Sequence, residues 1–223
     1  MRITQLVLPV SDVSATTAYF RDVMQLPVDA GRVRVGWSTL VPVPADDAAV
    51  GGVHLAFNVA DNRFSAAMTW LRARTPLQHD ADGRDHFALE SRWQSQSVYF
   101  TGPDGLVLEL IGRRRLPRSS RTGAFDGREL TCLSEVGLPS DDVDAARGAV
   151  TARFGLQPLS PPSDVFAPMG DDDGLLILVD ARRRWFPQQR TLPCGRGLQV
   201  RIQAATAGAL LVDGDQGWQV HAE

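Results

Sequence analysis

The stretch Gln5-Leu6-Val7-Leu8-Pro9-Val10-Ser11-Asp12-Val13 carries the key to the fold, because part of it occurs twice. Leu8-Pro9-x-x-Asp12-Val13 returns as Leu138-Pro139-x-x-Asp142-Val143, and Glu135 then stands where Gln5 stood. A second echo links Asp104-Gly105-Leu106 to Asp173-Gly174-Leu175. Each of those copies runs into a short apolar strand and then three arginines, Arg113-Arg114-Arg115 and Arg182-Arg183-Arg184. Repeats of this kind outrank local readings, since missing them misassigns the whole architecture. The chain therefore reads as two related halves, residues 1–112 and 131–223. The segment 113–130, rich in Arg, Ser, Pro and Gly, reads as a linker.

Each half divides again. Leu6, Leu8 and Val10 alternate with Gln5, Val7 and Pro9, the period of a strand with one buried face. Asp12 offers a helix cap, and Val13, Thr17, Phe20 and Met24 recur along one helical face. Three short strands follow, ending in residues 33–43. The plan restarts at His54-Leu55-Ala56-Phe57-Asn58-Val59, with Asn62 as a cap and Phe64, Ala67, Met68 and Leu71 as the helical stripe. Strands over 97–101 and 106–111 meet at the turn Gly102-Pro103-Asp104-Gly105. A third unit starts at Leu133, with its stripe at Val143, Ala146, Val150 and Phe154, and a fourth, from Leu198, is truncated. This is an α+β plan of repeated βαβββ modules. Each module leaves one sheet face bare, so two modules are expected to pair into a cup-shaped, partly closed sheet.

Strand alternation selects what faces the cup. If Leu6, Leu55 and Leu108 turn to the helices, then Gln5, His54 and Glu109 turn to the cup. Glu109 interrupts an otherwise apolar strand, and a buried carboxylate is costly unless paired or bound to a metal. With the halves each forming one cup, Gln5, His54 and Glu109 converge in the first. In the second, Glu135 matches Gln5, but Gly197 and Leu178 match His54 and Glu109, so no metal is expected there.

The opening Ile3-x-Gln5-Leu6-x-Leu8-x-Val10-Ser11-Asp12-Val13, with Ala18-Tyr19-Phe20-Arg21-Asp22-Val23, resembles the first βαβββ module of the vicinal oxygen chelate superfamily. Val98-Tyr99-Phe100-x-x-Pro103-Asp104-Gly105-x-x-Leu108-Glu109-Leu110 resembles the strands that close the second module. Glyoxalases, extradiol dioxygenases and bleomycin-resistance proteins are members. The resemblance implies a cup around a divalent metal ion (iron, manganese, nickel or zinc) held by first and last strands, hence by Gln5, His54 and Glu109. It also implies a small substrate that chelates the ion through adjacent oxygens, with Glu109 and Tyr99 as catalytic groups. Gln5 replaces a histidine of the dioxygenase-like ligand set. The residues 35–43 lack the second carboxylate usual in glyoxalase-like members.

Other features read more plainly. The two arginine runs are expected to be solvated strand exits. His79 and His86 fall in a polar loop; the competing reading makes that loop a lid with His86 as proton carrier. Trp37, Trp93 and Tyr99 are core or pocket aromatics, and Asp171-Asp172-Asp173 is a turn. All 23 basic residues are arginine, yet the net charge of −3 argues against a nucleic-acid binder. No apolar run approaches the roughly 20 residues of a membrane span. Two cysteines, Cys132 and Cys194, fit a reducing cytoplasm better than a disulfide scaffold. The expectation is a cytoplasmic monomer or homodimer, either a metal-dependent enzyme or a metal-free small-molecule binder of the bleomycin-resistance type. A bound metal ion separates the two.

Overall fold

The computed structural model describes residues 1–45, 50–212 and 216–223. Alternating burial builds β1 (Arg2–Val10), in which Ile3, Leu6, Leu8 and Val10 are fully buried. Asp12 ends the strand and caps α1 (Val13–Asp22) by accepting a bond from the Ala15 amide at 2.9 Å. β2 (Val28–Asp29), β3 (Arg32–Val35) and β4 (Ser38–Pro44) complete the first module. The second has β5 (His54–Ala60), α2 (Phe64–Arg72), β6 (Phe87–Leu89), β7 (Ser95–Thr101) and β8 (Val107–Arg113). The third repeats the first with β9 (Cys132–Ser140), α3 (Val143–Phe154), β10 (Phe166–Asp171) and β11 (Gly174–Asp180). Asp142 caps α3 just as Asp12 caps α1, again at 2.9 Å. β12 (Gln199–Gln203), β13 (Gly208–Leu211) and β14 (Gln219–Ala222) form the truncated fourth, which has no helix among the described residues.

Among the described residues the strands make two seven-stranded sheets, ordered β13-β14-β12-β1-β4-β3-β2 and β10-β11-β9-β5-β8-β7-β6. The first module therefore pairs with the fourth, and the second with the third. This corrects the expected division at 1–112 and 131–223, since each sheet draws strands from both sides of the linker. The linker corrects in turn. Arg113 is the buried last residue of β8, Phe125 and Leu130 join the core, and Glu129 pairs with Arg63. Asn62 does not cap α2; its side-chain amide instead bonds both backbone groups of Ser119 in that segment.

The helix-facing sides of both sheets share one core, where Phe20 of α1 lies 6.3 Å from Phe57 of β5. Ser38 stitches the sheets by donating to the Ile3 carbonyl at 2.7 Å and accepting from the Leu133 amide at 3.0 Å. Gly36, at φ +52°, runs so close to the Thr131 carbonyl that a Cβ would sit 1.8 Å from its oxygen. With the cores merged, the opposite face of the second sheet is left to form a cavity. A separate apolar cluster of Val107, Leu175, Ile177, Val179 and Trp185 lines that face.

Candidate metal centre

Register brings the chemistry to one row of the second sheet. Tyr99 of β7 lies opposite Glu109 of β8, Glu109 beside Ala56 of β5, and Ala56 opposite Glu135 of β9. The small Ala56 leaves space above it for two carboxylates. His54, two residues earlier on the same face of β5, completes the group. Its Nε2 is 3.5 Å from Glu109 Oε2 and 3.6 Å from Glu135 Oε2, and all three residues are buried. His54 Nδ1 lies 3.2 Å from the Val107 carbonyl; a proton donated there leaves Nε2 free toward the carboxylates.

Gly137 gives the site its wall. A Cβ at this position would meet the Trp185 ring at 2.6 Å and the His54 Cβ at 3.2 Å. Without one, Trp185 packs 5.1 Å from the His54 ring and donates its indole N–H to the Gly52 carbonyl at 2.8 Å. Trp185 belongs to the segment that follows β11. This segment also brings Arg183 and Phe186 to a cavity of about 230 Å³ with His54, Glu109 and Glu135 among its lining residues.

Charge is crowded here. Arg113 is fully buried and ion-pairs with Glu135, and its Nη1 lies 3.8 Å from Asp172. Its Nε and Nη1 have no hydrogen-bond partner among the described residues. Burial, then the nearby Glu135 charge, push the Glu109 carboxyl up to about 7, despite His54 and Arg113. Burial lowers the basicity of His54, but Glu135 and Glu109 more than offset it, so its pKa lies above the ordinary value. Burial and the same carboxylates hold the Tyr99 phenol well above 10, and hence protonated.

The donor set fits a divalent ion. Two ligands each about 2.1 Å from one ion lie roughly 3.0–3.4 Å apart in octahedral or tetrahedral geometry. Here one imidazole nitrogen and two carboxylates present ligand atoms all within 4.8 Å of one another. The fourth position of the paired modules is Ile177. It bears the same register to Glu135 and Gly137 that Glu109 bears to His54 and Ala56. An ion held there would have three protein ligands and an open side facing the cavity, the form that catalytic zinc sites take.

Of the residues expected at the metal, His54 and Glu109 meet, whereas Gln5 lies in the other sheet. β1 is hydrogen-bonded between β12 and β4, so Gln5 neighbours Arg201 and Thr39, and His221 lies beyond Arg201. That row contains no carboxylate. Glu135 takes the place assigned to Gln5, and the register position matching Glu109 in the third module is Ile177, not Leu178. Both arginine runs also correct: Arg113 and Arg183 line or support the site, while Arg114 and Arg182 meet Glu90 and Asp180 as surface pairs. The signal for Arg113 was its phase, since Val107, Glu109, Ile111 and Arg113 alternate on one face. Trp93 and Tyr99 line the cavity; Trp37 lies elsewhere, 4.7 Å under the Arg2 guanidinium. His79 and His86 are exposed outside the cavity.

No protein-family model matches the chain, and no curated protein matches it. Solved structures do. Glyoxalase I from Zea mays superimposes with a TM-score of 0.58 at 15% identity, over 99% of this chain and 91% of that one. A variant of the same maize enzyme gives 0.61 at 14% identity, over 99% and 92%. A protein described as a "putative dioxygenase" from Bacillus subtilis gives 0.59 at 15% identity, over 100% and 85%. At such identity these likenesses establish the fold. No helix among the described residues is long and apolar enough to cross a membrane.

Proposed function

We propose, for a chain whose fold is that of the vicinal oxygen chelate superfamily, a divalent-metal-dependent enzyme acting on a small substrate with adjacent oxygens. Its centre is His54, Glu109 and Glu135. The carrying observation is the convergence of those three buried ligand atoms at the cavity. A bound divalent ion supplies Lewis acidity to a coordinated substrate oxygen. The chain supplies the rest. Tyr99, protonated at all working pH values, offers an O–H donor beside Glu109 to orient a substrate oxygen. In the metal-free pocket burial and the Glu135 charge raise the Glu109 carboxyl to about 7, and a bound ion would hold it ionised as a ligand. Ile177, Trp185 and Phe186 exclude water from the apolar side. Isomerisation, epimerisation and oxygen-dependent cleavage all suit this arrangement. The free thiols of Cys132 and Cys194 accord with a reducing compartment such as the cytoplasm.

One observation favours a second reading. Arg113 neutralises Glu135 without any metal, which suits a binding pocket that works metal-free. Calorimetric titration with zinc, manganese, nickel and anaerobic iron separates the readings. The enzyme reading expects one ion per chain. A folded protein that binds none of the four overturns it in favour of the binder.

A further inference from the structure

The arginine that follows β11 stands out from its neighbours. Arg182 is paired with Asp180, Arg184 bonds the Arg190 carbonyl, and Arg115 is paired with Asp172. Arg183 sits between the first two, half-buried, and lines the cavity of the candidate centre. Its guanidinium lies 5.2 Å over the Phe166 ring. No carboxylate or carbonyl among the described residues pairs with it. A guanidinium stays charged at any working pH and carries a planar fork of donors matched to carboxylates. Desolvation makes leaving it unpaired costly, and burial lowers its pKa from the ordinary value. Apart from Ser95, Ser97 and the candidate centre, the remaining walls are apolar or aromatic, among them Trp93, Tyr99, Phe166, Ile177, Trp185 and Phe186. The volume, about 230 Å³, falls below the roughly 300–1,000 Å³ of pockets for drug-sized ligands, so the occupant is small.

We infer that Arg183 is a specificity-determining residue that binds the carboxylate of a small acid with an aromatic or branched apolar body. The inference rests on the proposed function for what happens at the other end, where adjacent oxygens of the same molecule would meet an ion held by His54, Glu109 and Glu135. The contact at Arg183 itself requires no metal. Phosphate monoesters present the same kind of anion but fit poorly in a cavity with so much aromatic wall, and they serve as a control.

Phenylacetate and its uncharged isostere phenylacetamide test this in the full-length, chelator-treated protein, with quenching of tryptophan fluorescence as the readout because Trp93 and Trp185 line the cavity. Wild type should bind the acid at least about tenfold more tightly than the amide. R183M should reduce that preference to within about twofold, and R183K should keep part of it while folding as wild type by circular dichroism. Phenyl phosphate should bind more weakly than phenylacetate. Equal binding of acid and amide to wild type overturns the inference, as does an undiminished preference in both variants or tighter binding of phenyl phosphate. A separate titration with catechol, with and without zinc, reads the metal end. If zinc does not tighten catechol while phenylacetate still depends on Arg183, the metal reading fails and the carboxylate subsite stands.

Discussion

Glu109 and Glu135 hold two carboxylates over a single alanine, with one imidazole and one guanidinium as the local cations. Folding therefore favours a proton on Glu109, whose pKa is raised from 4.5 to about 7. For a carboxyl raised in the folded state, the stabilising contribution is complete below the unfolded value and is lost as pH rises through the folded one. His54, also raised, contributes with the same sign. The metal-free protein should thus lose urea stability between pH 5 and pH 8, and E109Q should flatten that loss; an E109Q profile as steep as wild type contradicts the assignment. The same substitution should weaken metal binding by more than the roughly 10–100-fold that losing an outer-shell partner costs, since it removes a charged ligand itself, while Gln5→His leaves affinity unchanged in calorimetry. E135Q should behave differently. It leaves the buried Arg113 with only Asp172, 3.8 Å from its Nη1, as a carboxylate partner, and should cost about 3 kcal/mol of folding stability, the low end for a broken buried pair.

Strands, helices and caps were legible because their signals are local. The period-2 runs at Leu6–Val10 and Leu55–Val59, and the cap Asp12, lie within a few residues of what they determine, whereas Asn62, read as a cap on the same local grounds, is drawn away to Ser119. His54 and Glu109 were legible for the same reason, being polar residues in phase with a cup face. The choice of sheet partner was not, because the alternation of β1 fits β5 and β12 equally well and says nothing about which edge it meets. Gln5 was therefore assigned to a cup it never reaches, and Glu135 was excluded from the one it enters. Arg183 and Trp185 were hidden for another reason: they act from an irregular segment with no period to read. That segment depends on Gly137 of β9, whose missing side chain admits the Trp185 ring. G137A should displace the ring, cost about 1–3 kcal/mol, and red-shift the tryptophan emission as Trp185 is released to water. An unchanged spectrum and melting temperature would show that the segment holds its place without this contact.

The two sheets interleave the halves of the chain, so the molecule behaves as one unit despite its internal repeat. Cutting within 113–130 would divide both sheets at their centres. The fragment 1–112 would lose β12 from the edge of β1 and β9 from the edge of β5; the fragment 131–223 would lose the matching partners. Each would expose two rows of unpaired backbone donors and acceptors beside apolar faces, which is the condition for aggregation. The candidate centre would be split as well, with His54 and Glu109 on one fragment and Glu135 on the other. A chain folded as two independent cups would instead leave two soluble halves, the first of them still holding its metal ligands. The interleaved fold predicts that neither fragment alone gives a cooperative urea transition or binds zinc. Co-expression of fragments divided instead between the exposed Ser120 and Arg121, which together keep Arg113, Phe125 and Leu130, should recover a complex with both properties, measured by calorimetry on the co-purified pair. Independent folding of residues 1–112 with zinc bound would refute the interleaving and restore Gln5 to the site.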